Sequence, residues 1–320
     1  MGLKQKLALW VEEYLFYPTP LQQIISALLL PFTLIYCLIK FVNKSLKNPK
    51  YYGIKVVSIG NLLVGGTGKT PFTIALTKYF PNSAVVLRGY KRKSKGLIVV
   101  SRNGEILVNV DKSGDEAMLL AQKCTDAIII VSEDRVKGIL KAKELGASVV
   151  FLDDGYSKTD LYKFDILLRP KNEPTNIFCL PSGGYKEPKI EYFNADITAM
   201  EDKDFQRTVS YSYYDSAQEK FTTIDVLPKE IVFVSGISKP KRVLEFLPSD
   251  IKYEFFEDHY DFTQKDIEDI VEKYGTQNLI VTQKDFVKLK RFGISLYIID
   301  LEIKINQEII DKVGEYLVDG

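Results

Sequence analysis

With one histidine in 320 residues, any step that needs an imidazole falls to His259. Cysteine is nearly as scarce: Cys37, Cys124 and Cys179 are an odd, scattered set that excludes a disulfide framework or a cysteine metal cluster and suits a reducing cytoplasm. Neither sign of charge dominates. The 43 Lys and Arg against 42 Asp and Glu leave +1, which argues against a protein built to coat nucleic acid, so no nucleic-acid partner is expected. The remainder, 46% hydrophobic and 27% charged, is globular material long enough for two domains.

Charge is also missing from Ile24 to Ile39, an apolar run interrupted by Pro31 and followed by Lys40, Lys44, Lys47 and Lys50. The run is short for a spanning helix of about 20 residues, and no small-residue cleavage site follows it. It reads as a retained membrane-surface anchor whose lysines meet anionic headgroups, or else as a buried helix or hairpin covering the next domain.

The stretch from Lys55 to Phe80, KVVSIGNLLVGGTGKTPFTIALTKYF, predicts a buried strand, a glycine-rich turn and a helix with Pro71 in its first turn. In the pattern G-x-x-x-x-G-K-[ST], the turn at Gly65, Gly66, Thr67 and Gly68 points N–H groups at phosphates. Lys69 reaches the β- and γ-phosphates and the Thr70 hydroxyl holds Mg²⁺. Leu63 occupies the position of the first glycine, so the loop should enter the phosphate site differently from an ordinary P-loop.

Downstream, ASVVFLDD predicts a strand buried on both faces that delivers Asp153 and Asp154 to the carboxyl edge of a parallel sheet. There, one or the other would hold the nucleotide's Mg²⁺ unless the pair merely forms a turn. Asp115 and Glu116 open another helix. Ser113 with Glu116 has capping-box spacing, and Asp115 is equally a candidate for catalysis. Arg135 lies in a first helical turn, where the dipole disfavours a cation, so an anionic partner is expected. The cluster Arg88, Gly89, Tyr90, Lys91, Arg92 reads as an anion site or as a solvated loop, and Asn103-Gly104 marks a hairpin.

The expected architecture is α/β. Residues 1–48 form the membrane-associated helical segment and 49–205 a P-loop NTPase-like parallel-sheet domain. Residues 206–228 form a two-stranded β-ribbon hinge, and 229–320 a second, smaller α/β domain. Within the last, EIVFVSGISKPKRVLEFL predicts strand, glycine turn and helix, and a C-terminal helix, Gln307 to Val318, returns to the first domain.

Taken together, IGNLLVGGTGKTP, LRGYKR, SGDEAMLLA, EDR, FLDDGY, LPSGGYKEP, FEDHYDFT and TQKDFVKL, in this order over most of the chain, resemble the tetraacyldisaccharide 4′-kinases, the lipid A 4′-kinases of the Gram-negative inner membrane. The resemblance implies transfer of phosphate from ATP, with Mg²⁺, to the 4′-hydroxyl of a tetraacyl glucosamine disaccharide 1-phosphate, giving lipid IVA at the cytoplasmic face of the inner membrane. It implies a catalytic dyad of Asp115 and His259 assisted by Lys69, and nucleotide contacts from Asn61, Gly65, Gly66, Thr67, Gly68, Lys69 and Thr70. The metal would be held by Thr70, Asp153 and Asp154, with substrate contacts from Arg88, Tyr90, Glu116 and Arg135. Departures are Ser157-Lys158-Thr159 where many members have Gln-His, Gln283 for a common Glu, and Gly184-Tyr185 for Pro-Leu. Two other classes fit the motifs: a membrane-recruited ATPase switch that phosphorylates nothing, and a soluble small-metabolite kinase.

Overall fold

A computed structural model describes residues 3–65, 68–237, 240–257 and 260–318. Three helices come first: α1 Leu3–Phe16, α2 Pro20–Leu28 and α3 Leu30–Ser45. Thr19 and Gln22 form a capping box that starts α2, and α2 and α3 bend by 55° at Leu29. Their amphipathicity is inverted. Gln22, Ser26 and Thr33 are buried, Ser26 Oγ donating to Ser182 O at 2.6 Å and Thr33 Oγ1 to Ser182 Oγ at 2.7 Å. Leu21, Leu28, Leu34, Leu38 and Phe41 remain 61–71% exposed. Among the described residues no single helix is long and apolar enough to cross a membrane, though the bent pair is by length and composition.

The lysines after the apolar run turn inward. Lys40 pairs with Glu187 at 2.6 Å and Lys44 with Glu191 at 2.5 Å, anchoring α3 to the protein, and Lys47, just past α3, lies 3.8 Å from Asp160. Gly184 explains one departure. A Cβ there would lie 2.4 Å from Phe16 Cε1, so glycine lets the end of α1 sit on the 180–186 loop.

The first of two sheets runs β4-β3-β5-β2-β6-β1-β7-β8. Its strands are β1 Lys55–Gly60, β2 Ser83–Leu87, β3 Ile98–Arg102, β4 Glu105–Ile106, β5 Ile128–Val131, β6 Val149–Asp153, β7 Phe164–Arg169 and β8 Ile197–Met200. The six from β5 to β8 are parallel and nearly all buried, as their continuous Val/Ile/Leu runs require. Asn103 and Gly104, both at positive φ, turn β3 into β4. The helices are α4 Lys69–Thr77, α5 Val110–Ser113, α6 Asp115–Lys123, α7 Arg135–Glu144 and α8 Glu191–Asn194.

The second sheet, β10-β9-β14-β13-β11-β12, comprises β9 Phe205–Asp215, β10 Lys220–Ile224, β11 Val232–Ser235, β12 Lys252–Phe255, β13 Leu279–Thr282 and β14 Leu296–Ile305, with helices α9 Gln264–Tyr274, α10 Gln283–Leu289 and α11 Gln307–Val318. The ribbon expected at 206–228 needs correction. β9 does pair with β10, but its main partner is β14, antiparallel over ten residue pairs from Leu296–Tyr214 to Ile305–Phe205. The chain crosses between the sheets along β9 and returns along β14. Phe205, Ile303 and Ile305 reach the first core, joined by Ile309, Ile310 and Val313 of α11. Where a helix is expected after β11, the described residues form two short 3₁₀ turns, Pro240–Arg242 and Leu244–Phe246.

Candidate active site

At the carboxyl edge of the first sheet, the loop after β1 is strapped to a distant segment. Val64 N–H donates to Gly184 O at 2.9 Å, Lys186 N–H to Leu62 O at 2.6 Å, and Leu63 is buried beside Tyr185. Leucine therefore replaces glycine because this part of the loop is core. Beyond it Gly65 and Gly68 take φ of 89° and 86°, a conformation that favours glycine, and Gly68 caps α4. Gly66 and Thr67 lie outside the described residues. Asn61 Oδ1 accepts from both Lys69 Nζ and Lys186 Nζ at 3.0 Å, and Asp154 Oδ1 faces the same two ammonium groups at 3.6 and 3.5 Å.

Asp153 closes β6, 4% exposed, with Oδ2 accepting from Thr70 Oγ1 at 2.8 Å. Its Oδ1 is buried without a hydrogen-bond partner. Burial first, then the Glu116 charge, pushes the Asp153 carboxyl up to about 6. Such an orphaned carboxylate oxygen beside a threonine hydroxyl fits a hard divalent cation. Asp154 differs. Its side chain is 57% exposed, and although desolvation opposes ionisation, Lys69 and Lys186 hold its carboxyl below the ordinary range. Arg135 is buried at the start of α7 and donates to Ser132 O at 2.8 Å and Asp153 O at 3.4 Å, so backbone carbonyls are its partners.

A cavity of about 880 Å³ runs from this edge to the second sheet. Its lining includes Lys69, Thr70, Asp153 and Asp154, with Arg88, Tyr90, Glu116 and Arg135. The opposite wall comes from β9, β14 and the 3₁₀ turns, through Val209, Ile299 and Phe246. Two cations on α10 face the start of α6: Lys284 pairs with Glu116 at 2.9 Å and Lys288 with Asp115 at 3.2 Å. The Ser113–Glu116 capping box does not form. Gly114 is the N-cap with no side-chain cap bond, and the Ser113 hydroxyl donates to carbonyls of 109, 110 and 114. His259 lies outside the described residues. Sequence reasoning gave no role to Lys186, Lys284 and Lys288, although LPSGGYKEP and TQKDFVKL contain them.

The family model described as tetraacyldisaccharide-1-P 4′-kinase (LpxK) matches residues 25–317. The chain belongs to this family. Similar curated relatives are the tetraacyldisaccharide 4′-kinases of Aliarcobacter butzleri (52% identity over 96% of both chains) and of Helicobacter pylori strain HPAG1 (40%, over 97% of this chain and 95% of the relative). A crystal structure of the family's Aquifex aeolicus member in complex with ATP aligns with TM-score 0.74 at 29% identity, covering 92% of this chain and 99% of that one.

The raised Asp153 carboxyl sets a sign for pH dependence. A folded value near 6, above the ordinary carboxylate, means ionising Asp153 costs stability as pH rises from about 4 to 6, and the full cost persists at pH 8. Asp153→Asn should therefore raise the unfolding free energy of the ligand-free protein, measured by urea titration, by about 1–3 kcal/mol at pH 8, and raise it less at pH 4.5. An equal change at both pH values would contradict the assignment.

Proposed function

We propose that this chain transfers the γ-phosphoryl group of ATP to the 4′-hydroxyl of a tetraacyl glucosamine disaccharide 1-phosphate, the lipid A precursor, to give lipid IVA. The observation that carries the reading is family membership over nearly the whole chain, joined to a cavity where Lys69, Thr70 and Asp153 converge. In this reading the turn from Gly65 to Gly68 and the N-terminus of α4 form a P-loop whose backbone and Lys69 hold the phosphates, with Asn61 holding Lys69. Thr70 and Asp153 would hold Mg²⁺, which when bound neutralises charge on the phosphates. The unpartnered Asp153 Oδ1 supports this, and Asp154, engaged by two lysines, serves better to place them than as a ligand.

Phosphoryl transfer has a loose transition state, so positioning and charge neutralisation dominate and the base accepts a late proton. Asp115 takes that role, beside the sugar-facing Glu116, Arg88 and Tyr90, with His259 as its partner on the strength of the resemblance. Arg135 props the end of β6 from below. The ATPase-switch alternative has no observation in its favour.

The inverted face of α2 and α3 supports a peripheral seat on the cytoplasmic face of the bacterial inner membrane. Its exposed Leu and Phe side chains would enter the leaflet that holds the acyl chains of the substrate, while Gln22, Ser26 and Thr33 bond to the protein. Leu28→Glu with Leu38→Glu should cut flotation with anionic phospholipid vesicles about tenfold or more without changing ATP affinity. Unchanged flotation would refute the seat.

Asp115→Ala tests the chemistry. Single-turnover formation of phosphorylated lipid should slow by about 10²–10⁴-fold while ATP still binds. A normal rate in that variant would remove Asp115 from the mechanism.

A further inference from the structure

The pairs between α10 and α6 join residues 168 or more apart, and one of them reaches further than its neighbour. Lys288 Nζ lies 3.2 Å from Asp115 Oδ2 and also donates to Tyr260 O at 3.2 Å. Both side chains are largely buried, at 11% and 16% exposure, so this is no solvated surface pair. Lys288 belongs to the second sheet's layer and Asp115 to the first. The backbone it grips, at Tyr260, adjoins position 259.

We propose that Lys288 is a positioning residue for Asp115, orienting that carboxylate across the junction between the two sheets' layers. The inference rests on the 4′-kinase reading and deepens it. α10 is itself held in register: the buried Asp285 accepts from Ser235 Oγ at 2.9 Å, Gly236 N–H at 3.1 Å and Thr282 Oγ1 at 2.8 Å. This fastens α10 to the end of β11, and a Cβ on Gly236 would meet Tyr260 Cβ at 3.2 Å. Lys288 thus projects from a helix whose placement is set on three sides.

Other charged or titratable groups on α6 and the elements packed against it are Glu116 and Lys123 on α6, Lys284 and Asp285 on α10, Asp111 and Lys112 on α5, Lys69 on α4 with Lys78 just past its end, and Arg102 on β3. Tyr90 and Arg92 flank Gly114, and Tyr260 lies behind Lys288. Lys288 touches the carboxylate directly. Removing a cation from a carboxylate raises its pKa, so the acid limb of activity moves to higher pH.

The test compares full-length wild type, Lys288→Met and Lys288→Arg in lipid phosphorylation over a range of pH. Lys288→Met should lower kcat about tenfold or more, leave KM for ATP within about threefold and shift the acid limb of kcat upward by about one pH unit, with Lys288→Arg restoring most of both. If Lys288→Met fails to fold by circular dichroism, Lys288→Gln, which keeps a donor for Tyr260 O, carries the same expectation. Wild-type kcat, or lowered kcat with an unmoved acid limb, overturns the positioning role. Wild-type protein that transfers no phosphate to lipid overturns the 4′-kinase reading instead.

Discussion

Glu116, Asp153 and Asp154 are among the carboxylates lining one cavity, with Asp115 next to Glu116 at the start of α6, and the repulsion among them has to be offset before anything anionic can enter. Cations from separate parts of the chain do this: Lys69 from the turn after β1, Lys186 from the loop under the N-terminal helices, Lys284 and Lys288 from the second sheet's layer. Asp153 is the exception. Buried, with one oxygen unpartnered, it is the position where a cation from solution would contribute most. The site is therefore complete only when each part of the chain is docked, which ties its chemistry to the tertiary structure.

The N-terminal helices obey the same accounting with the signs reversed. On α2 and α3 the polar Gln22, Ser26 and Thr33 are satisfied inside while Leu21, Leu28, Leu34, Leu38 and Phe41 face out, an arrangement that water penalises and a bilayer surface rewards. Lys40 and Lys44 pair with Glu187 and Glu191, next to Lys186, so the segment with the exposed apolar face is fastened to the loop that supplies one of the cavity's cations.

What was legible in the sequence is what local chemistry dictates. The strand-turn-helix at Lys55–Thr77 and the carboxylates ending β6 follow from short-range patterns, and the structure brings them together through the Thr70–Asp153 bond. Long-range pairing was hidden. Nothing near Leu63 shows that Tyr185 covers it, and nothing in β9 shows that its main partner lies in β14 and not in the adjacent hairpin strand. Ser113 and Glu116 have the spacing of a capping box, yet Gly114 at φ 83° takes the cap and releases Glu116 toward Lys284. After β11 the apolar pattern of Val243, Leu244 and Phe246 suggests a helix, and the described chain makes two 3₁₀ turns instead.

The parts of the site converge on one reaction, the passage of phosphate from ATP to one sugar hydroxyl of a lipid in this cavity. Its most direct test is incubation of the full-length protein with γ-labelled ATP, magnesium and detergent-dispersed tetraacyl disaccharide 1-phosphate, alongside Lys69→Ala, with the labelled position fixed by mass spectrometry. Wild type should place label on the 4′-oxygen, and the variant should lose about 10²-fold or more of that transfer. Free labelled phosphate with no labelled lipid would contradict it.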